Sequence, residues 1–263
     1  MANSLLARAN DRIAQPHVRH IGFADLRQAL KDGADDFMAM PSHLVFLALI
    51  YPILGVCLAA LTFSNNALPL IYPLATGFAL IGPFAAIGLY EVSRRREAGL
   101  QPTWRDAFEV LRSPALPSIA VLGLLLALIF LCWLGTARLI YGWLFGPVAP
   151  TSLAGLLSEV LTTSRGWTLI IVGNLVGFIF AALVLSVSVV AFPLLLDRNV
   201  GVAAAIQTSM RAVAKNPATM GLWGLIVAAA LAIGSLPLFV GLALVMPILG
   251  HATWHLYRRT VGD

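Results

Sequence analysis

Residues 117–137 read PSIAVLGLLLALIFLCWLGTA, and this stretch contains no charged side chain. A helix needs about 20 apolar residues to cross the hydrocarbon core of a bilayer. Inside that core no water can satisfy backbone N–H and C=O groups, so a spanning segment must be a helix or a strand of a closed barrel. The stretch therefore predicts a transmembrane helix.

The composition of the whole chain agrees with a membrane protein. Of its 263 residues, 59% are hydrophobic and 11% are charged, whereas a typical soluble domain is about 25% charged. So few charges cannot cover a globule of this size, which excludes a soluble enzyme. Disorder would require low hydrophobicity and high net charge. The net charge is +5, which in a soluble protein could indicate a nucleic-acid partner. Here the basic residues lie between apolar runs, so we interpret them as signals of membrane orientation and expect no nucleic-acid partner.

Four further apolar runs are long enough to span a bilayer: 44–63, 68–90, 167–196 and 218–257. The last run contains about 40 residues, enough for two spans of about 20 residues each. We expect it to break at 234–237, because Pro237 cannot continue the hydrogen-bond ladder of a helix and Gly234 loosens it. The sequence therefore predicts an all-α polytopic membrane protein with six transmembrane helices.

The distribution of basic residues supports this count. Of the 17 Lys and Arg residues, all but Arg138 and Arg165 fall on the segments that six spans place on one side of the bilayer. Lys and Arg accumulate in cytoplasmic segments. We therefore expect both termini in the cytoplasm of a bacterial inner membrane. We expect no cleaved signal peptide, because the start of the chain has no apolar core of the necessary length.

The segments between the spans contain amphipathic stretches. Residues 23–37 read FADLRQALKDGADDF, with apolar residues at helical spacing and charged residues opposite, which predicts a helix on the cytoplasmic membrane surface. Residues 104–112 and 201–215 are shorter or weaker versions of this pattern. A short interfacial helix is predicted on the other side of the membrane, over 152–161.

The three cytoplasmic stretches suggest an internal repeat. Each ends just before a proline, at Pro41, Pro114 and Pro217, and each is followed by two predicted spans. We interpret this as three hairpin units, each preceded by an interfacial helix. The alternative is that any hairpin protein carries prolines and arginines at its interfaces. The predicted organisation is a cytoplasmic tail over 1–22 and a single membrane domain over 23–263. Its hairpin units cover about 23–100, 101–200 and 201–259.

Several short motifs carry a resemblance to a known family. They are Phe23-Ala24-Asp25-Leu26, Gly82-Pro83, Tyr90-Glu91 and Ser93-Arg94-Arg95. On these motifs the run from 20 to 259 resembles a bacterial family of predicted integral membrane proteins of unknown function. The resemblance implies no activity. The hairpin layout is also similar to the membrane domain attached to some glycerophosphodiester phosphodiesterases, although no stretch here could hold their catalytic domain.

Some members of that family carry the label of cytochrome c oxidase subunit I. That subunit resembles a twelve-helix bundle in which histidines from several helices hold two haems and a copper. This chain has about half that number of predicted spans and five histidines, of which His17 and His20 lie in the polar N-terminal segment. We therefore reject the label.

Histidines near the end of the chain are the candidate metal ligands. His251 and His255 are four residues apart and so share one helix face, and imidazole suits Zn, Cu, Fe or Ni. His43 and Glu91 are expected at the same interface, which gives a four-residue candidate site. The alternative is that these residues are interfacial anchors, like their aromatic neighbours. We predict no catalytic residue and no cofactor.

A basic cluster follows the second predicted span. Its cations could attract anionic lipid headgroups, or they could act only as topology determinants. The cluster consists of Arg94, Arg95, Arg96, Arg105 and Arg112.

Three classes of function remain. The sequence contains no Gly-rich phosphate loop, GxSxG elbow or Ser–His–acid set, and no charged residue falls mid-span. Ion pathways and proton relays usually require such charges. We therefore favour a non-catalytic accessory subunit or assembly factor of another membrane complex, of which a respiratory complex is one example. The alternatives are a transporter or lipid-handling protein, and a metal- or haem-binding membrane protein.

Overall fold

The computed structural model describes residues 16–40, 55, 68–146, 150, 152–198, 200–236 and 240–262. Within these residues the regular elements are helices, and the single β-bridge is isolated. The all-α membrane architecture predicted from the sequence is confirmed. In chain order the α-helices are α1 (Phe23–Met38), α2 (Ile71–Ala85), α3 (Ile87–Glu97), α4 (Leu116–Phe145), α5 (Leu153–Thr162), α6 (Ser164–Ser188), α7 (Ala191–Asp197), α8 (Val202–Lys215), α9 (Pro217–Ser235) and α10 (Leu242–Thr260). The 3-10 helices cover Leu68–Leu70 and Trp104–Arg112.

Three segments among the described residues are long and apolar enough to cross a membrane. They are α4, the combined α6–α7 segment and α9. The predicted break in the last apolar run is confirmed, because α9 ends at Ser235 and α10 begins at Leu242. The predicted span over 44–63 lies outside the described residues except for Gly55. The count of six spans therefore stays a prediction.

Prolines lie near helix breaks in two of the predicted spans, 68–90 and 167–196. Pro83 lies inside α2, and a break at Ala86 separates α2 from α3. Pro193 lies near the start of α7, just after α6 ends. Proline removes a backbone donor and clashes with the carbonyl four residues earlier. At the α6–α7 break the backbone N–H of Val190 donates to the Ser209 hydroxyl on α8 at 3.2 Å.

The interfacial helices pack in a cyclic order. The 3-10 helix Trp104–Arg112 packs on α3, and α8 packs on α6 and α7. Each of these two helices therefore packs on the end of the hairpin that precedes it. The first interfacial helix, α1, packs on α10, the last helix of the chain. A threefold repeat of the predicted units would produce this order, and the boundaries of those units stay a prediction.

Two junctions of this cycle each contain an ion pair between an arginine and an aspartate. Arg95 Nη1 lies 2.5 Å from Asp106 Oδ1, and Arg259 Nη1 lies 3.6 Å from Asp25 Oδ1. Both aspartates occupy the third position of their interfacial helix and accept the N-cap backbone N–H, as in a capping box. In α8 the third position is Ala204, so the remaining junction lacks this ion pair.

The amphipathic helix α1 uses its buried face inside the protein. That face packs on α10 and contains Leu26, Ala29, Gly33, Asp36 and Phe37. Phe23, at the start of the predicted apolar stripe, is 61% exposed. The sequence predicted a surface helix here. The structure shows in addition that α1 is docked on α10, the last helix of the chain.

The described ends of the chain lie together. Arg19 N–H donates to the Thr260 carbonyl at 2.7 Å, and Gly262 N–H donates to the His17 carbonyl at 2.9 Å. The Asn216 side chain accepts from the Ile21 N–H at 2.9 Å and donates to the Arg19 carbonyl at 3.1 Å. We call this part of the bundle, where α3, α7 and α10 also end, the charged end.

Gly33 sets the close approach of α1 and α10. A Cβ at this position would lie 2.5 Å from the backbone nitrogen of Ala252 and 2.7 Å from its Cα. Because the obstructing atoms belong to the backbone of α10, they cannot move aside as a flexible side chain could. The absence of a side chain at Gly33 therefore permits this helix contact.

We predict that Gly33→Ala destabilises the protein by about 1–3 kcal/mol, the usual cost of overpacking. Gly135→Ala is the matched control, because Gly135 is also in a helix interior and its Cβ would meet nothing within 4 Å. Thermal unfolding of both variants in the same detergent would measure the difference. Equal unfolding temperatures would contradict the assigned packing.

Candidate functional site

The Asp36 carboxylate is a buried acid at the charged end of the bundle. Its side chain is 8% exposed and faces α10. Oδ2 accepts from Ser93 Oγ at 2.5 Å and contacts His255 Nε2 at 2.8 Å, and Oδ1 accepts from Arg96 Nη1 at 2.7 Å. An ionised carboxylate can only accept, so His255 carries a proton on Nε2. Asp36 thus joins α1 to both α3 and α10.

Ser93 extends this network to a second histidine. Its Oγ lies 2.7 Å from Nδ1 of His251. Because the only hydroxyl proton is donated to Asp36, Oγ must accept from His251, which therefore carries a proton on Nδ1. Ser93 is fully buried and His251 is 2% exposed. We call Asp36, Ser93, Arg96, His251 and His255 the Asp36 cluster.

The cluster favours the ionised form of its acid. Burial alone would raise the pKa of Asp36. Hydrogen bonds from His255 and Ser93, together with the electrostatic interaction with the two histidines, outweigh burial and lower the pKa of Asp36 below its ordinary value. The carboxylate is therefore the fixed negative charge of the cluster.

The proton directions in the cluster differ from those of a nucleophilic site. In such a site the base accepts the serine proton, and the acid orients the base. Here Asp36 accepts the proton of Ser93, and His251 donates to Ser93. Ser93 is also closed to solvent. This geometry connects three helices and does not present an activated hydroxyl.

Of the predicted metal candidates, the structure brings together only the two histidines of α10. His251 Nδ1 lies 4.0 Å from Asp36 Oδ2, and His255 contacts the same oxygen. Glu91 is bound to arginines, and His43 lies outside the described residues. Among the described residues, no group of three or more His, Cys, Asp or Glu side chains is placed to hold a metal ion. The metal site stays a prediction.

Glu91 organises a second, separate charged group. It is 3% exposed. Arg94 donates to both of its carboxylate oxygens at 2.8 Å, and Arg95 Nε donates to Oε1 at 2.7 Å. Arg95 also reaches Asp106 on the 3-10 helix. A buried carboxylate requires such partners, so Glu91 fixes the arginines that follow it.

The predicted basic cluster is divided by these contacts. Arg96 binds Asp36 on one side, whereas Arg112 pairs with Glu109 at 2.8 Å and Arg105 lies 5.4 Å from the centre of the Trp104 ring. These arginines are therefore engaged by different partners. A role in binding lipid headgroups stays a prediction.

The second half of α10 makes further polar contacts with its neighbours. Trp254 Nε1 and Arg258 Nε both donate to Glu97 at 2.9 Å. Tyr257 donates to Asp197 at the end of α7 at 2.6 Å. α10 therefore links α1, α3 and α7 at the charged end.

Sequence reasoning missed Asp36 and Ser93. One signal was available for Asp36, because it follows Ala29 and Gly33 at helical spacing and so shares their face. An acid among small residues on one face of an amphipathic helix indicates a buried partner. Ser93 offered no comparable signal.

In the comparison with known proteins, residues 71–197 match the model of the family described as predicted integral membrane protein (DUF2189). The resemblance predicted from the sequence is confirmed, and the chain is an integral membrane protein. The match runs from α2 to α7, so it includes Ser93 but neither Asp36 nor His251. No curated protein and no solved structure matches the chain.

We predict that Asp36→Ala lowers the free energy of unfolding by about 3 kcal/mol, because removing one partner of a buried pair leaves the others uncompensated. Asp35→Ala is the matched control. Asp35 is exposed on the same helix, and exposed substitutions usually stay within about 0.5 kcal/mol. Thermal unfolding in detergent measures both variants. A loss of stability equal to that of the control would exclude a structural role for the cluster.

The lowered pKa of Asp36 predicts a pH dependence. A carboxylate with a folded-state pKa below the unfolded value stabilises the fold above that value, and the contribution disappears as the pH falls through the folded-state pKa. We expect the stability difference between the wild type and Asp36→Asn to be constant above about pH 5 and to shrink below about pH 4. Chemical unfolding across this range measures it. A change centred between about pH 6 and 7 would instead indicate histidine titration.

Proposed function

We propose that this integral membrane protein is a non-catalytic accessory subunit or assembly factor of another membrane complex. We place it in the bacterial inner membrane with both termini in the cytoplasm. The orientation is supported by the basic residues, which concentrate in alternate segments of the chain.

The observation that carries the proposal is the face of α4 that the described helices leave exposed. Only 28% of the most apolar window of this helix is buried. Large apolar side chains recur along the face at intervals of three, four or eight residues. They are Leu124, Leu128, Leu131, Leu139 and Trp143, each between 58% and 76% exposed.

Gly135 lies within this face. A Cβ there would meet nothing within 4 Å, so no described helix requires a glycine at this position. Small residues let a second transmembrane helix approach closely. A partner helix seated over Gly135 would use both the small residue and the flanking leucines.

The state of the polar groups supports a non-catalytic role. Asp36, Ser93 and His251 bind one another in a closed network. Glu91 is likewise occupied by its two arginines. These groups offer no nucleophile to a substrate, so interaction through the apolar face is the function that the geometry supports best.

We expect the wild-type protein, purified from native membranes in a mild detergent, to carry a stoichiometric membrane-protein partner. A native gel with mass spectrometry of each band would identify it. Gly135→Leu should reduce the recovered partner by about tenfold, the effect of roughly 1.4 kcal/mol of lost contact. The protein itself should remain monodisperse.

Gly221→Leu is the matched control, because Gly221 lies in α9 and a Cβ there also meets nothing within 4 Å. It should retain the partner. A wild-type protein recovered without any partner would overturn the accessory role. Equal recovery with both variants would exclude the α4 face as the docking surface.

A further inference from the structure

The cleft between α3, the 3-10 helix Trp104–Arg112 and α7 has the features of a ligand site. Its volume is about 350 Å³, at the small end of the range for ligand pockets. Its lining includes three buried apolar side chains, Val110, Leu195 and Leu196. Charged side chains make up much of the rest of the lining, so the cleft suits a small polar group attached to an apolar body.

The charges on the walls are balanced. Three arginines face the cleft together with three carboxylates. A purely anionic ligand would meet the carboxylates, and a purely cationic one would meet the guanidinium groups. A ligand that carries both a phosphate and an ammonium group can satisfy both signs. The charged lining residues are Arg94, Arg95, Arg112, Glu91, Glu109 and Asp197.

Among these groups, one pair can change partners at little cost. Arg112 and Glu109 are 80% and 38% exposed and lie 2.8 Å apart. An exposed ion pair of this kind contributes only about 0–1 kcal/mol. Glu91, in contrast, is 3% exposed and holds Arg94 and Arg95. The Arg112–Glu109 pair can therefore open to a ligand while Glu91 keeps the cleft in shape.

The position of the cleft identifies the source of such a ligand. The 3-10 helix leads through Ser113 into α4, which begins at Leu116 and is long enough to span the membrane. The same 3-10 helix exposes Trp104, Phe108 and Leu111, and aromatic side chains concentrate at the level of lipid headgroups. A phospholipid in the adjacent leaflet could place its headgroup in the cleft.

We propose that this cleft binds the phosphoethanolamine headgroup of a membrane phospholipid. Arg112 binds the phosphate through its planar guanidinium group, and Glu109 accepts hydrogen bonds from the ammonium group. Because phosphate lies closer to the acyl chains than the ammonium group does, the polarity of the Arg112–Glu109 pair fixes the orientation of the headgroup. This proposal does not depend on the accessory role.

The test is native mass spectrometry of the full-length protein released from mixed vesicles of phosphatidylethanolamine, phosphatidylglycerol and phosphatidylcholine. We expect selective retention of phosphatidylethanolamine. Arg112→Gln and Glu109→Gln should each reduce it by about tenfold, the effect of losing one hydrogen bond to a charged group. Arg27→Gln is the matched control, because Arg27 is exposed on the interfacial helix α1 and does not line the cleft. It should retain the lipid.

A double variant separates the site from general charge effects. Glu109→Arg combined with Arg112→Glu keeps an ion pair at the same spacing but reverses its polarity, and it should lose the lipid. Retention by this variant would overturn the proposal. The proposal would also be overturned if phosphatidylglycerol were retained as well as phosphatidylethanolamine and Glu109→Gln did not change that retention. Such a result would indicate a site for any anion. Competition by soluble phosphoethanolamine at the same concentration as the lipid would point to a water-soluble ligand instead.

Discussion

The ionised carboxylate of Asp36 is the constraint on which the charged end depends. A buried carboxylate is destabilising unless donors surround it, and its three donors come from α3 and α10. If α1 left its place, Ser93 and His255 would lose their acceptor inside the protein. The close contact at Gly33 adds a steric condition, because any larger residue would separate the helices before the hydrogen bonds could form. The docking of α1 is therefore cooperative, because the hydrogen bonds of Asp36 and the close contact at Gly33 require the same position of the helix.

The concentration of these contacts at one junction follows from the order of the chain. Two interfacial helices pack on the hairpin just before them, so Arg95 and Asp106 are only 11 residues apart. The third junction joins α1 to α10, and Asp36 and His255 are separated by 219 residues. Closing a longer loop costs more conformational entropy. The junction between α3 and the 3-10 helix, which are close in the chain, is held by a partly exposed ion pair. The junction between α1 and α10 has in addition the Asp36 cluster, the Gly33 contact and the hydrogen bonds of Asn216 to residues 19 and 21.

The features that could be predicted from the sequence are those that depend on neighbouring residues. Hydropathy located α4 to within a few residues at its start, and Pro237 marked the end of α9. The Asp36 cluster could not be predicted, because the partners of Asp36 are chosen by the packing of helices far apart in the chain. Glu91 was grouped with His251 because both lie at the same end of the bundle. Lying at the same end of the bundle does not fix the direction in which a side chain points around its helix. Glu91 faces the 3-10 helix, whereas His251 faces Ser93. Similarly, apolar composition does not distinguish a helix buried among others from one that faces lipid, so the number of spans is not fixed by hydropathy.

The two ion pairs of the 3-10 helix show how a rigid junction can support an adaptable surface. Arg95 and Asp106 are 27% and 23% exposed, and Arg95 is also held by the buried Glu91. Because Glu91 holds Arg95 in position, the contact between Arg95 and Asp106 ties the 3-10 helix to α3. Arg112 and Glu109, on the same helix, are more exposed and have no buried group that depends on them. Their separation therefore costs little while the helix stays fixed. Because the Asp36 cluster and Glu91 are bound inside the protein, an external ligand can be exchanged for an internal partner more easily at this pair.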